Sequence, residues 1–315
     1  MELTRLFNRL KDRNIYFYKL LHKIRMFEEK SRKKQFDKYT RDVQMKMLSK
    51  EYEEKTGQTL DWNNLQTYTE KMQWSKLFDN SPIKTKLTDK YMVREWVSDK
   101  IGEEFLIPLL GVWDSFEEID FSNLPDRFVL KTNNASGTNM IVNNKKEIDF
   151  ERACILFERW LSMDYSTMGG VQMQYKNIKP KIVAEKYIVD SNGQLFDYKF
   201  LCFNGKVYYC WVDVDRQSVH KRNVYDLNWN LQSWNQNKFD NTEDKLGKPE
   251  NFEEMIRVAE VLCEGFSHVR VDLYNVDGKI YFGEMTFTNG NGYELIYPHS
   301  KNLELGNLWS LTIQK

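Results

Sequence analysis

Between residues 268 and 287 the chain carries two runs of β-branched and aromatic residues, 268–274 and 279–287, separated by the turn formers Asn275, Asp277 and Gly278. This pattern predicts a β-hairpin. Its register decides which side chains share a face. A two-residue Asp277-Gly278 turn would pair Asp272 with Gly283 and leave Glu284 on the face opposite Asp272. A three-residue Val276-Asp277-Gly278 loop, with Gly278 left-handed, would set Glu284 across from Arg270 and diagonal to Asp272, all on one face. We expect the second register. Two carboxylates that close repel unless something positive lies between them. A hard divalent cation bridging phosphate oxygens is the usual solution, with Mg²⁺ the natural candidate. The alternative is a half-exposed strand pair whose charges face water, with Arg270 paired to Glu284. The residues that follow favour a ligand: Thr286, Thr288, Asn289, Gly290, Asn291 and Gly292 make a polar, glycine-punctuated loop, and such loops bring backbone groups close to ligands.

The same reading places the other elements. Apolar residues Leu6, Leu10, Tyr16, Tyr18, Leu20, Leu21, Ile24 and Phe27 recur at three- and four-residue spacings, predicting two or three helices over 3–55, with another over 64–77. Ser81-Pro82 breaks the chain, and Thr88 is a fitting N-cap for a helix over 89–101 that Gly102 would end. A short buried strand over 105–112, interrupted by Pro108, and a connector over 116–124 point to an open α/β unit. Next come a strand over 128–131, a loop over 132–139 and a strand over 140–142, then an amphipathic helix over 149–162 and a strand over 182–189. Strands over 197–203 and 206–214 form a hairpin about Asn204-Gly205. A helix over 252–264, capped by Asn251 and closed by Gly265, leads into the opening hairpin.

Composition narrows the class. Hydrophobic residues are 41% and aromatics 14% of 315, rich enough for a sizeable core, and no apolar stretch approaches the ~18 residues a membrane span needs. The start, MELTRLFNRLKDRN, is charged throughout and lacks the pattern of a secretory signal, so a cytoplasmic protein is expected. Cys154, Cys202, Cys210 and Cys263 show no CxxC spacing and fit reduced, packed thiols. Net charge is zero overall, yet residues 1–50 hold fifteen Lys or Arg against six Asp or Glu, leaving the remainder acidic. A basic, aromatic-bearing helix of this kind can lie on an anionic membrane at its inner face; the alternative is a solvated helical extension packed on the body. Nucleic acid is not an expected partner, because the rest is acidic and no binding motif occurs.

Several stretches carry candidate chemistry. Lys131 ends a strand that runs into small polar residues, and Ala135, Ser136 and Gly137 would let backbone N–H groups approach phosphate while Lys131 supplies charge; an ordinary hairpin turn is the alternative. No GxxxxGK[ST] or GxGxxG occurs, which disfavours a P-loop or a dinucleotide fold. Glu185 and Lys186 interrupt the apolar run IVAEKYIV, as expected either of a linker offering backbone edges to an adenine or of a solvated edge strand. Lys199 lies on the first strand of the Asn204-Gly205 hairpin. Residues 213–249 read as a long, substrate-facing insertion with Arg216, His220, Lys221 and Arg222, where Trp229 or Trp234 either stacks on a sugar ring or packs against the body. No Ser/His/Asp or Cys/His arrangement is visible.

Taken in order, FVLK with its small-residue loop, AEKYI, DYKF, RVDLY and GEMTFTNGNG resemble the ATP-grasp superfamily over about residues 60–305. TDKYMVREWVSDKIGEE and IPLLGVW look like its teichuronopeptide-biosynthesis, or TupA-type, branch of bacterial capsule and cell-wall polysaccharide loci. The resemblance implies an α+β fold, with two subdomains clasping ATP behind a helical N-terminal extension. It divides the chain into that basic extension (1–80), an α/β segment (81–125), a first subdomain with lid and hinge (126–195) and a second with the metal and substrate site (196–315). Lys131 would bind phosphate and 133–139, with Ser136, Gly137 and Thr138, would form a mobile lid. Glu185, Lys186 and Ile188 would be the adenine hinge. Lys199 would reach the triphosphate, Arg270 the transferred phosphate or the carboxylate, and Asp272 and Glu284 the Mg²⁺ ions. Where many members have Asn two residues after the metal-binding Glu, this chain has Thr286, which makes Thr286 and Asn289 the further candidate ligands. The implied chemistry is ATP-dependent carboxylate–amine ligation through an acylphosphate, joining an amino compound to a uronic acid or similar sugar-linked carboxylate. A glycosyltransferase or other polysaccharide-modifying transferase is the second reading, although Asp213-Val214-Asp215 is the only DxD, and a non-enzymatic binder is the third.

Overall fold

The computed structural model describes residues 14–79, 81–168, 170–214, 221–236, 239–242 and 246–311. Leu6, Leu10, Asp215, Arg216 and His220, named above, lie outside them.

Helix α1 (Ile15–Phe36) starts where the Asn14 side chain accepts from the Tyr16 and Phe17 amides, and α2 (Arg41–Thr56) is capped by Thr40 and closed by the left-handed Gly57. Helix α3 (Tyr68–Phe78) begins four residues later than expected, because Thr67 and Glu70 form a capping box. Ser81-Pro82 starts a helix instead of breaking the chain: Pro82 occupies the first turn of α4 (Pro82–Thr88), where a missing N–H is harmless. Thr88 therefore ends α4 and does not cap α5 (Val93–Ile101). Asp89 makes the turn instead, accepting from the Tyr91 amide at 2.8 Å and the Met92 amide at 3.1 Å.

Strands β1 (Leu109–Trp113), β2 (Phe128–Thr132), β3 (Asn139–Val142) and β4 (Ile182–Lys186) form a four-stranded antiparallel sheet in the order β1-β4-β2-β3. The strand expected to open an α/β unit is thus an edge of this sheet, starting after Pro108, whose carbonyl accepts from the Lys186 amide at 3.0 Å. Phe128, Leu130, Ile182 and Ala184 point one way and pack on Ala153 and Phe157 of helix α6 (Phe150–Ser162). Val129, Lys131, Val183 and Glu185 point the other way.

The chain continues through β5 (Asp197–Phe203), β6 (Lys206–Val214), β7 (Lys221–Tyr225), β8 (Asn235–Gln236), α7 (Phe252–Cys263), β9 (His268–Val276), β10 (Lys279–Thr286), β11 (Ile296–Tyr297) and α8 (His299–Leu308). Five of these strands make a second antiparallel sheet, ordered β10-β9-β5-β6-β7, while β8 pairs with β11. One face of the five-stranded sheet buries Phe200, Cys210, Val269 and Val271 against Phe252 and Met255 of α7 and Leu87, Val93 and Val97 of α4 and α5. The other face is divided. Leu201, Phe203 and Trp211 pack on Tyr68 and Met72 of α3 and on Leu305 and Trp309. Beside them the same face is charged. Helix α3, expected within the extension, thereby packs on the second unit's sheet, as do α4 and α5 of the 81–125 segment.

The described residues of 213–249 are not a free insertion, since they supply β7 and β8. Trp234 is 2% exposed, and Trp229 stacks on Tyr225 at 4.2 Å with its indole N–H given to the Leu246 carbonyl at 3.0 Å. Both tryptophans are consumed by packing, so neither offers a face to a sugar. Asn251 stands at the N-cap of α7 as expected, but its side chain makes no capping bond; its amide donates to the Gly278 carbonyl at 2.8 Å and its oxygen accepts from Asn275 at 2.6 Å, tying the helix to the hairpin tip. The four cysteines are free thiols. Among the described residues no helix is long and apolar enough to cross a membrane.

Helix α8 crosses the start of α3 so closely that a Cβ on Gly306 would lie 2.0 Å from the Gln66 carbonyl oxygen and 2.8 Å from the Thr67 carbonyl carbon. Backbone cannot yield as a side-chain tip can. Gly306→Ala is expected to cost about 2 kcal/mol or more, read as a lower urea midpoint at unchanged slope.

Candidate active site

The hairpin β9–β10 closes on Asp277 and Gly278, at φ +50° and +85°, with Val276 paired to Lys279. This is a two-residue turn, not the three-residue loop expected. Left alone, it would put Glu284 on the wrong face. A β-bulge at Gly283 corrects the phase, and Glu284 falls directly opposite Asp272 with Thr286 opposite Arg270, instead of Glu284 opposite Arg270. The position must be small, because a Cβ there would come within 3.0 Å of the Asp272 carbonyl oxygen. On the other side of β9, Asp272 pairs with Lys199 of β5. Lys199, Asp272 and Glu284 therefore form one row across three strands, with Arg270 and Thr286 one step along on the same face.

Arg270 joins the row. Its Nε donates to Asp272 Oδ1 at 2.7 Å, and its Nη2 reaches Asp272 Oδ2 at 2.7 Å, Glu284 Oε1 at 3.0 Å and Thr286 Oγ1 at 3.1 Å. One nitrogen atom thus touches both carboxylates and the hydroxyl. Lys199 Nζ donates to Asp272 Oδ2 at 2.8 Å and to Asp197, and lies 3.7 Å from Asp213, which Arg222 holds by both oxygens at 2.5 and 2.8 Å. Burial alone would push the Glu284 carboxyl up; the charges of Arg270, Lys199 and Lys90 outweigh it and hold Glu284 down at about 2.

The four-stranded sheet faces this row with a second charged group. Glu185 accepts from Lys131 Nζ at 2.6 Å through one oxygen and from Arg94 Nη1 at 3.1 Å through the other. Lys90, on the turn between α4 and α5, donates to the Ala135 carbonyl of the 132–139 loop. Burial lowers its ammonium to about 8, and Glu284 on one side and Glu185 and Lys131 on the other are among the charges that act on it. Lys90 is the residue the sequence reading missed: neither helical period nor a motif marks a lysine on a two-helix turn, and only the folding of that turn between the two sheets brings it here.

Most of the loop expected as a lid is held by hydrogen bonds. Asn133 donates to Asp89 at 2.8 Å and to the Lys179 carbonyl at 3.0 Å, Asn134 donates to the Trp160 and Met163 carbonyls, and Thr138 is buried with its hydroxyl bonded to Thr132 at 2.8 Å. Only Ser136 and Gly137 project, with open space around Gly137 at φ +72°. Lys186 leaves β4 on the face opposite Glu185 and Lys131, and its amide is already used by Pro108, so the two halves of the predicted hinge point apart. Ile188 follows in the irregular connection to β5. Asn289 is buried beneath the site, its Oδ1 accepting from the Tyr68 hydroxyl at 2.5 Å. That hydroxyl also meets His268 Nε2 at 3.0 Å, while burial drives His268 down to about 3 and keeps the ring neutral. The structure thus brings Lys199, Arg270, Asp272, Glu284 and Thr286 together, sets Lys131 and Glu185 opposite them, and ties Asn289 to α3.

These residues suit Mg²⁺ and phosphate. The position now filled by Arg270 Nη2 is ringed by oxygen only, the hard donor set Mg²⁺ prefers. Among the described residues no three His, Cys, Asp or Glu side chains form a ready-made metal cage. Mg²⁺ is ordinarily held by one or two carboxylates and shared with phosphate oxygens, which two carboxylates beside Lys90, Lys131 and Lys199 allow.

Two antiparallel sheets with their helices, clasping a cleft charged from both sides, define an ATP-grasp fold. The chain belongs to the TupA-like ATP-grasp family, whose sequence model matches residues 70–310. No curated protein sequence matches it. Among solved structures it is similar to D-alanine–D-alanine ligase from Bacillus anthracis, at 18% identity over 64% of this chain and 57% of that one with a TM-score of 0.39. It is similar also to the Helicobacter pylori D-alanine–D-alanine ligase (14% identity, 71% and 61% covered, TM-score 0.37). A RimK-domain ATP-grasp protein from Sphaerobacter thermophilus gives 11% identity, 71% and 67% covered, and a TM-score of 0.40. The chain spans 57% of the length of the Bacillus ligase and 61% of the Helicobacter one.

Proposed function

We propose that this chain is a cytoplasmic ATP- and Mg²⁺-dependent carboxylate–amine ligase working through an acylphosphate, with a uronic acid or similar sugar-linked carboxylate of a bacterial surface polysaccharide as acceptor and an amino compound as its partner. The observation that carries the reading is the single Arg270 nitrogen shared by Asp272, Glu284 and Thr286, facing Lys131 and Lys90 across the cleft. Bound there through Asp272 and Glu284, with Thr286 as a further candidate and Asn289 left to Tyr68, Mg²⁺ would draw charge from phosphate oxygens. Lys131, Lys90 and Lys199 would hold the phosphates, and the Ser136-Gly137 tip would close over them with backbone N–H groups. Glu185 and Ile188 would border the adenine, with Lys186 reaching it only from the far face of β4. Arg270, released from Glu284 as the cation binds, would orient the acceptor carboxylate for attack on the terminal phosphorus and stabilise the charge that spreads in transfer. The free thiols accord with a reducing compartment. The polysaccharide assignment rests on the family. A glycosyltransferase gains nothing from the structure, since both oxygens of Asp213 in the lone DxD are bonded to Arg222.

Melting curves test the reading. A ligand that binds only the folded state at a hundred times its Kd adds about 2.7 kcal/mol to stability. Mg²⁺–ATP is expected to raise the melting temperature of the parent and not of Lys131→Ala, and UDP-sugars to leave both unchanged. A rise with UDP-sugars alone overturns the ligase.

A further inference from the structure

Helix α1 presents a face that the body does not use. Tyr16, Leu20, Ile24 and Phe27 are 80%, 54%, 46% and 75% exposed, and their spacings of four, four and three residues set them in one stripe about 17 Å long. The opposite side of the helix packs on the body. Tyr18, His22 and Phe36 are buried, and three ion pairs fasten the helix to the lid-bearing unit: Lys19 to Glu151 at 2.7 Å, Glu29 to Arg159 at 2.5 Å and Lys33 to Asp164 at 2.5 Å. Among the described residues, the stripe is therefore not a core face awaiting its partner. Lys23, Lys30 and Lys34, all exposed, fall on the same side at helical spacing, with Glu28 at the stripe's flank as the nearby acid.

We infer that α1 is an interfacial anchor, which lies flat on an anionic phospholipid surface with Tyr16, Leu20, Ile24 and Phe27 sunk among the acyl chains and Lys23, Lys30 and Lys34 against the headgroup phosphates. The charge of the chain selects this occupant. Residues 1–50 carry the excess of Lys and Arg while the remainder is acidic, so a negative surface attracts this end and repels the body. A second copy of the same chain would have to bring the lysines of its own stripe against these, like charge on like. Lysine stems reach outward from an apolar face to place their ammonium groups at the headgroup level. Exposed apolar residues with basic flanks on a helix that cannot span are the marks of a helix bound in the plane of the interface.

The full chain is mixed with vesicles of phosphatidylcholine alone, or of phosphatidylcholine with phosphatidylglycerol, and sedimented. Binding to the anionic vesicles only, weakened by salt, is expected. Leu20→Ser with Phe27→Ser is expected to lower the bound-to-free ratio by about tenfold or more, and Lys23→Glu with Lys30→Glu to abolish the preference for anionic lipid. All four positions are exposed, so melting temperature and its Mg²⁺–ATP shift should match the parent in both variants, which separates failure of this inference from failure of the ligase reading. Equal binding to both vesicle types, no binding to either, or a dimer in analytical ultracentrifugation that Leu20→Ser with Phe27→Ser dissociates would each overturn it.

Discussion

Glu284→Gln is expected to leave the protein folded and to slow nucleotide turnover by about 10²- to 10³-fold, the usual loss when one preorganised group at a developing charge is removed. Its side chain is 42% exposed and gives one oxygen to Arg270 and Thr286, whereas Arg270 keeps both of its bonds to Asp272. The charges left behind still balance. Without Glu284, Asp197, Asp213 and Asp272 stand against Lys199, Arg222 and Arg270, three against three. ADP release at saturating Mg²⁺–ATP and acceptor, measured beside a melting curve, checks both halves; full turnover in Glu284→Gln would remove Glu284 from the ligand set. The acid limb offers a second readout. A carboxyl near 4.3 in the unfolded chain and about 2 in the fold adds stability that is complete above the first value and lost as pH falls toward the second. In Glu284→Gln the loss of stability over that window should be shallower than in the parent.

Asp272→Asn is expected to fail differently. Asp272 is 2% exposed and takes two bonds from Arg270 and one from Lys199. Removing its charge leaves two buried cations short of a partner, and breaking a buried ion pair from one side costs about 3–5 kcal/mol. The urea midpoint should fall accordingly, with turnover lost as well. The contrast between the two variants separates roles that activity alone confounds: Glu284 for the ligand, Asp272 for ligand and fold together. A midpoint unchanged in Asp272→Asn would show that the network does not hold the sheet.

Much of this site was legible in the sequence. Asn204-Gly205 and Asp277-Gly278 mark both hairpins, and alternation assigns Lys199, Arg270, Asp272 and Glu284 to strands that pair. The register of the second hairpin was not, because turn length was asked to do what the bulge does. The signal was present in Gly283, a glycine inside a strand beside a carboxylate. Pro82 was read as a break because a proline after serine fits a turn and a helix start equally well, and Leu87, the residue of α4 that decides between them, packs on a sheet more than a hundred residues away. Trp229 and Trp234 looked available to a sugar because their stretch is polar. Their partners Tyr225, Tyr209 and Trp211 lie on strands whose neighbourhood appears only in three dimensions. Lys90 belongs with these, since nothing local distinguishes it from other exposed-looking lysines.

The guanidinium set between Asp272 and Glu284 has a consequence for how the protein lives without its metal. Arg270 is a cation built into the chain, and its bonds to both carboxylates offset their mutual repulsion. Chelation should then silence the enzyme without melting it, and metal uptake becomes an exchange of partners by one side chain instead of a step in assembly. On the proposed reading, a chain short of Mg²⁺ would stay folded and lose turnover alone.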